Sequence, residues 1–403
     1  MLGAHLDRRR GRAIVGALAA TVTVSYGVLT YAFPVLFVPM EAELGVSRTA
    51  LSIAASIALG CAALAGVGVG WLLDRRDPRL VMGAGSVLAT LMVLAWSRVT
   101  TLAQLYVVFA TLGVAFAAVT YAPAFTVVTK WFAERRTEAL TAVTLAGAFA
   151  SLIFSPLTAR LEQALGWRDA LVVLAVVLGA ITVPLHLLVL RPSPRPHREH
   201  SVPARHALRS RGFWLLAAVF SLGAFAWSAI TVLLVVILVD QGLPVGFAAL
   251  AAGVTGISQL PGRLLFVPVQ RALGHRGALP VALGLSAGAL VLLALDQSRP
   301  AVLVFAVLFG TAGGMQTLLL ASTPAALFGS ASYGSVAGAL HACANGARAL
   351  GPFGFAAGAA LIGSYLTAVA LMAVAVAATA VLTARPVRDR PVRAARRSAR
   401  PAR

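Results

Sequence analysis

Charge is scarce in this chain. Asp, Glu, Lys and Arg make up 11% of its 403 residues, and 59% are hydrophobic. A soluble domain carries about 25% charged residues, so a soluble fold is excluded and no stretch is left over for a soluble domain of useful size. Cysteine is nearly absent too. Cys61 and Cys343 both lie inside apolar runs and read as small packing residues, not as a disulfide or a metal site. There is no CxxC or HExxH motif, no paired carboxylate and no activated nucleophile inside an apolar run. An enzyme is therefore not expected, and neither is a cofactor or a bound metal. Net charge is +20, but the basic residues cluster at the ends of apolar runs, in alternate loops and in the C-terminal tail, without interleaved aromatics. Nucleic acid is not an expected partner.

The apolar residues fall in runs of about 18–28 separated by short polar breaks, the pattern of membrane-spanning helices. Twelve spans are expected, at 13–40, 49–73, 80–97, 102–128, 138–159, 168–190, 213–239, 246–270, 278–295, 301–327, 332–358 and 364–384. In lipid each must satisfy its own backbone hydrogen bonds, which forces helices. The start, Arg8-Arg9-Arg10-Gly11-Arg12 before an apolar run, has the look of a signal peptide. The run continues to about Met40, far beyond a signal core of 7–15 residues, so it is read as the first permanent span.

Placing the N-terminus in the cytoplasm puts 26 of the 33 Lys and Arg on the cytoplasmic side. Five face outward (Arg48, Arg98, Arg160, Arg168, Arg299), and Arg263 and Arg348 lie within spans. By the positive-inside rule both termini are cytoplasmic, in the plasma membrane (a bacterial inner membrane). The expected organisation is a six-helix bundle over 1–190, a basic, Pro-rich cytoplasmic linker over 191–212 without a packing pattern, a second six-helix bundle over 213–384, and a basic tail over 385–403. An all-α protein of two pseudo-symmetric halves suggests a transporter built from repeats, with a solute site between them near mid-membrane.

At the end of span 2 the sequence reads Gly70-Trp-Leu-Leu-Asp74-Arg75-Arg76-Asp77-Pro78-Arg79. This resembles the G-x-x-x-D-R-x-G-R-R loop motif of the major facilitator superfamily. Gly70, Asp74, Arg75 and Arg79 match; Asp77-Pro78 replaces the usual Gly-Arg. The corresponding place in the second half, Gln270-Arg271-Ala-Leu-Gly-His275-Arg276, is a weak echo, with Gln270 at the position of Asp74. Three further stretches, YGVLTYAFPVLFVPMEAELGVSRTALS, YAPAFTVVTKWFAERRTEALT and GWRDALVVL, resemble the monocarboxylate-porter and oxalate–formate-antiporter branch. The resemblance implies twelve helices, alternating access, and a span 2 loop near the N-terminus of span 11. There the Asp74 carboxylate would meet the positive end of a helix dipole. Gly70, Asp74, Arg75 and Arg79 are thus candidate gating residues.

Arg263, in span 8, should face an interior cavity, because a charge in lipid is costly. The branch similarly places an arginine in span 8, in some members with an Asp four residues earlier. Here that position is Gln259, one turn away but without a carboxylate, which puts a proton-coupling acid–arginine pair in doubt. In span 11, His341, Asn345 and Arg348 are spaced by four and three and share a face. Asp240 and Asp296 sit only at the outer ends of spans 7 and 9. Two buried cations without a buried acid favour an anionic solute, since an uncompensated buried charge is costly. Tyr31 and Tyr121 are further candidates to line the path, ahead of Tyr26 and Trp227. Gly66-x-x-x-Gly70 and Gly334-x-x-x-Gly338 read as close helix contacts.

The expectation is a monomeric secondary transporter of a small, carboxylate-like organic anion, with membrane lipid as its surroundings. The alternative is a proton-coupled exporter of drug-like or metabolite solutes. The antiporter signature of span 5 is incomplete, however: Gly147 and Pro156 occur without the rest of it.

Overall fold

The computed structural model describes residues 2–132, 135–192, 203–329 and 332–384. Among them there are helices, turns and short connections, and no strand. Ten helical stretches are long and apolar enough to cross a membrane. One of these, Arg136–Val189, runs 54 residues and turns at Gly166, where a φ of 77° is available to glycine at little cost; it is two spans. Tyr333–Ile362 is as long as its neighbours but is diluted by His341, Asn345 and Arg348. It completes the twelve.

Span 1 comprises Leu2–Tyr26, a π-helical turn Gly27–Tyr31, and Ala32–Leu44. Spans 2 and 3 are Arg48–Arg75 and Pro78–Ser97. Span 4 is Leu102–Val119 and Tyr121–Trp131, broken at Thr120, whose φ and ψ are extended. Span 5 begins as Arg136–Ala148 and is interrupted at Phe149; Ala150–Pro184 completes it and, past Gly166, forms most of span 6. Span 7 is Arg211–Asp240. Val245–Ile257 and the first part of Gln259–Leu295 make span 8, and the remainder past Gly274 makes span 9. Spans 10, 11 and 12 are Arg299–Phe328, Tyr333–Ile362 and Tyr365–Ala384.

Local chemistry explains the starts. Ser47 and Ser210 cap spans 2 and 7, and Thr101 with Gln104 forms a capping box at span 4. Each oxygen satisfies an N–H that the first helical turn leaves free. Asp77-Pro78, the departure from the loop motif, has the same role. Asp77 accepts from the Arg79 amide at 2.9 Å with Pro78 in the first turn, where a missing N–H costs nothing.

The 191–212 segment differs from expectation. Ala204–Arg209 is a short helix with Ala207 buried, and span 7 already begins at Arg211. A small apolar residue between arginines lets one turn dock, which composition alone does not register. The tail from 385 and residues 193–202 lie outside the described residues.

Close helix approach depends on glycine. Gly70 packs on the Gly334 backbone and Gly66 on Gly338, so the two small-residue motifs face each other across spans 2 and 11. A Cβ on Gly70 would land inside the Gly334 carbonyl. Spans 8 and 10 meet in the same manner, with Gly310 against Thr255 and Gly314 against Gln259. In lipid, where apolar burial does not drive helices together, such packing supplies the association.

Candidate functional site

The irregular backbone gathers at one level of the bundle. The π-turn of span 1, the Thr120 break in span 4, the Phe149 break in span 5 and the Ser258 break in span 8 all interrupt helices that contribute to a central cluster. Interrupted helices at membrane depth are tolerated where they are buried in protein or line a cavity. Glycine makes room here as well. Phe154 covers Gly27, and the Tyr121 hydroxyl occupies the space a side chain at Gly147 would fill.

Three tyrosines line the cluster. The Tyr26 and Tyr121 rings are 4.7 Å apart, and Tyr121 stacks on Phe125 at 5.2 Å. Arg263 is 7% exposed. Its guanidinium donates to the Thr144 carbonyl of span 5 at 2.6 Å, crossing between the halves, and sits 3.5 Å from the Gln259 side-chain oxygen. Its Nε is enclosed and has no hydrogen-bond partner. Arg348 is exposed. It lies 3.4 Å from the Asn345 side-chain oxygen. Both guanidinium groups act electrostatically on the Tyr26 hydroxyl, and Arg263 also acts on Tyr31 and Tyr121. Arg263, Arg348, Gln259, Asn345, Tyr31 and Tyr121 are thus placed around one centre. The His341 ring lies 6.4 Å from that of Phe125. Trp227, named as a possible lining residue, stacks on Phe309 at 5.2 Å and covers Gly313; it packs spans 7 and 10 together. Tyr26, ranked behind Tyr31, is more central.

The second cluster lies on the side of the bundle that carries the linker. The Asp74 carboxylate accepts from the backbone N–H of Gly334 at 3.0 Å and of Ser335 at 2.7 Å, and from the Ser335 hydroxyl at 2.7 Å. Lys130 of span 4 lies 3.1 Å from it and also donates to the Leu73 carbonyl at 2.7 Å. Asp74 therefore caps span 11 from across the molecule. The other two basic motif residues go elsewhere: Arg75 lies over the Trp71 ring at 4.2 Å, and Arg79 binds Asp77 at 2.6 Å. A recess of about 340 Å³ beside them is lined by Asp74, Arg75, Arg76, Asp77, Lys130 and Arg191, among others.

The echo in the second half has a matching contact. The Thr137 hydroxyl, at the start of span 5, donates to the Gln270 side-chain oxygen at 2.7 Å, and Arg271 pairs with Glu138 at 2.9 Å. Lys130, Thr137, Thr144 and Glu138 were not singled out in the sequence. Nothing in their spacing marks them, because their partners lie 57 to 133 residues away.

On the opposite side, Glu43 pairs with Arg168 at 2.7 Å and accepts from the Trp167 indole, while Arg168 donates to the Ser97 carbonyl at 2.8 Å. The hydrogen bond from Arg168 holds the Glu43 carboxyl below its ordinary range. These contacts tie spans 1, 3 and 6 within one half. The hydrogen bonds between the halves described above lie at the central cluster and on the linker side.

A profile of the Major Facilitator Superfamily matches residues 18–352. The chain belongs to this superfamily. Among curated relatives it is 26% identical over 185 residues to an uncharacterized MFS-type transporter, YcxA, of Bacillus subtilis (45% of this chain, 44% of that protein). It is 30% identical over 169 residues to monocarboxylate transporter 13 of Rattus norvegicus (40% and 39%). It is 28% identical over 155 residues to riboflavin transporter RibJ of Trypanosoma brucei brucei (37% and 27%). In each case the match spans less than half of the relative. The fold is similar to that of FucP in its outward conformation, with TM-score 0.73, 15% identity, and 92% of this chain and 98% of that chain covered. It is also similar to the human organic anion transporter MFSD10, with TM-score 0.71, 15% identity, and 93% and 98% covered. The protein is a multi-pass membrane transporter and not an enzyme, and superfamily members carry small-molecule solutes.

Proposed function

We propose that this transporter carries a small organic anion, carboxylate-like in chemistry, through the cavity between its halves by alternating access. The observation that carries the proposal is Arg263, 7% exposed and paired with neutral partners, the Thr144 carbonyl and the Gln259 side-chain oxygen, together with Arg348 beside Asn345 in span 11; neither has an ion pair with an Asp or Glu among the described residues. A guanidinium offers a fork of N–H donors that fits a carboxylate through two parallel bonds. Arg263 has an unused Nε there. A bound anion would supply the charge the site lacks, and Tyr31, Tyr121, Gln259 and Asn345 would add neutral hydrogen bonds. Monocarboxylate transporter 13 and MFSD10 are consistent with this by the names they bear.

By the positive-inside rule the linker side is cytoplasmic. The structure is then closed toward the cytoplasm, with Asp74 on span 11 as the latch. Separating that contact would open the site inward, and remaking it would restore the outward state.

Direct binding of a panel of small carboxylates to purified wild type, Arg263→Lys, Arg263→Gln and Arg348→Gln tests the substrate class. Arg263→Lys keeps the charge and should lose much of the affinity, and Arg263→Gln nearly all of it. Normal binding by Arg263→Gln, or a cationic or neutral best ligand, would replace the anion with the solute of a general exporter.

A further inference from the structure

The recess of about 340 Å³ on the linker side is lined by two acids, Asp74 and Asp77, and four bases, Arg75, Arg76, Lys130 and Arg191. Small-molecule sites run to roughly 300–1,000 Å³, so the space is of ligand size. Its acids are already engaged. Both oxygens of Asp74 meet the start of span 11, and Lys130 lies beside one of them. Asp77 accepts from the Arg79 amide through one oxygen and from the Arg79 guanidinium through the other. Arg76 and Arg191 are exposed, and neither makes an ion pair among the described residues. The recess therefore carries more positive charge than its own acids balance.

The cations are held there by contacts that do not depend on charge. Arg191 follows span 6 and is brought to the recess by span 4, where the Trp131 indole donates to the Arg191 carbonyl at 2.8 Å across 60 positions. Lys130, one residue earlier, donates to the Leu73 carbonyl of span 2 at 2.7 Å. Arg75 lies over the Trp71 ring at 4.2 Å. Like charges gathered in this way repel, and an anion in the space between them removes that cost. The recess also adjoins lipid. Trp71 and Leu80, near the linker-side ends of spans 2 and 3, are 48% and 64% exposed. Tryptophan near the end of a span sits at the level of the lipid headgroups.

We propose that this recess is a binding site for a phosphate group. The guanidinium fork matches phosphate oxygens through paired hydrogen bonds, and a lysine adds a point charge. Arg76 and Arg191 are the primary anchors, with Lys130 and Arg75 contributing charge from the sides. Basic pockets between spans on the cytoplasmic side take phospholipid headgroups by this chemistry, and the apolar surface at Trp71 and Leu80 is where the acyl chains of such a lipid would lie. A free phosphate presents the same oxygens and has no use for that surface. The site uses neither Arg263 nor Arg348, so it stands whatever solute the protein carries.

Equilibrium binding to the purified, delipidated full chain in detergent tests this. The probes are tritiated dioctanoyl phosphatidylglycerol, its phosphatidylcholine counterpart and radiolabelled inorganic phosphate. Wild type should bind phosphatidylglycerol or inorganic phosphate. The double variant Arg76→Gln, Arg191→Gln should bind the same probe about tenfold or more weaker. Arg205→Gln with Arg209→Gln removes the same charge from the exposed face of the linker helix on the same side and should keep wild-type affinity. Binding of phosphatidylglycerol that inorganic phosphate does not displace assigns the site to a lipid headgroup. Displacement, or direct binding of inorganic phosphate lost in the recess variant, assigns it to free phosphate. Failure of wild type to bind either probe overturns the proposal and requires no variant to fold. So does an equal loss in the two double variants, or phosphatidylcholine bound as tightly as phosphatidylglycerol.

Discussion

Replacing Asp74 by Asn tests the latch most directly. The carboxylate engages Gly334 with one oxygen and Ser335 with the other, and Lys130 lies beside the first. Asparagine can keep the Ser335 contacts through its carbonyl. It then turns its NH2 toward the Gly334 N–H and the Lys130 ammonium. One charge-assisted hydrogen bond, worth about 1.5–3 kcal/mol, is lost. A partly screened ion pair worth up to about 1 kcal/mol goes with it. The closed state should weaken by about 3 kcal/mol, about a hundredfold in the open-to-closed ratio. Hydrogen–deuterium exchange at the first turn of span 11 reads this directly, because Asp74 holds the amides of Gly334 and Ser335. Exchange there should accelerate by about two orders of magnitude, while amides elsewhere in the second half change little. Turnover in proteoliposomes should fall more than ligand affinity, since Asp74 does not touch the solute. Unchanged exchange at 334–335, or equal losses of binding and turnover, would refute the latch.

Gly70→Val should hold spans 2 and 11 apart, because its Cβ would overlap the Gly334 carbonyl; thiol labelling of a cysteine at Ser335 should rise from nearly none to readily measurable. Cysteines at 200 and 395 in a cysteine-free background should resist impermeant thiol reagents in intact cells, and labelling at either from outside would reverse the topology. Glu43 has its carboxyl held below the ordinary range by Arg168, so its stabilisation is present above the unfolded value of about 4.3 and is lost as pH falls through the lower folded value. The melting temperature of wild type should therefore drop in that acid window by more than that of Glu43→Gln.

Twelve spans could be read from the sequence because lipid imposes one local requirement on each of them, an apolar helix of sufficient length. The expected edges at 102, 278 and 364 fall within a residue of the helix starts at Leu102, Gly277 and Tyr365. Arg263 and Arg348 could be singled out for the same reason, since a guanidinium at mid-span is an exception to that requirement. The contacts could not. Arg263 reaches Thr144 across 119 positions, and a carbonyl has no side-chain signature. The contacts of Tyr26 with Tyr121 and Phe116 join spans 1 and 4, and spacing within one helix does not encode them. The glycine pairs were visible as two separate motifs, and only their antiparallel register shows that each is the other's partner.

That register bears on how the halves are held. The two halves repeat the same topology, so the end of span 2 meets the start of span 11 and the end of span 8 meets the start of span 5. Asp74 on Gly334 and Ser335 is the first contact; Gln270 with Thr137, beside Arg271 with Glu138, is the second. They are positionally alike and chemically unlike. In the first, the charge is on the capping residue itself and meets two N–H groups at the positive end of a helix, an interaction that weakens steeply once the helix moves away. In the second, the position equivalent to Asp74 is neutral, and the charge is moved one residue on, into an exposed pair, Arg271 with Glu138, that is screened by solvent. Glu138 is also shared with Arg135. The stronger and more distance-sensitive contact is therefore on the span that carries His341, Asn345 and Arg348. Releasing Asp74 frees the helix that carries one of the two site arginines. Releasing Gln270 moves span 8 with the other, whose tether to Thr144 on span 5 must break in the same step. Under the proposed alternating access, this asymmetric pair of contacts would connect both arginines to the closure of a single side.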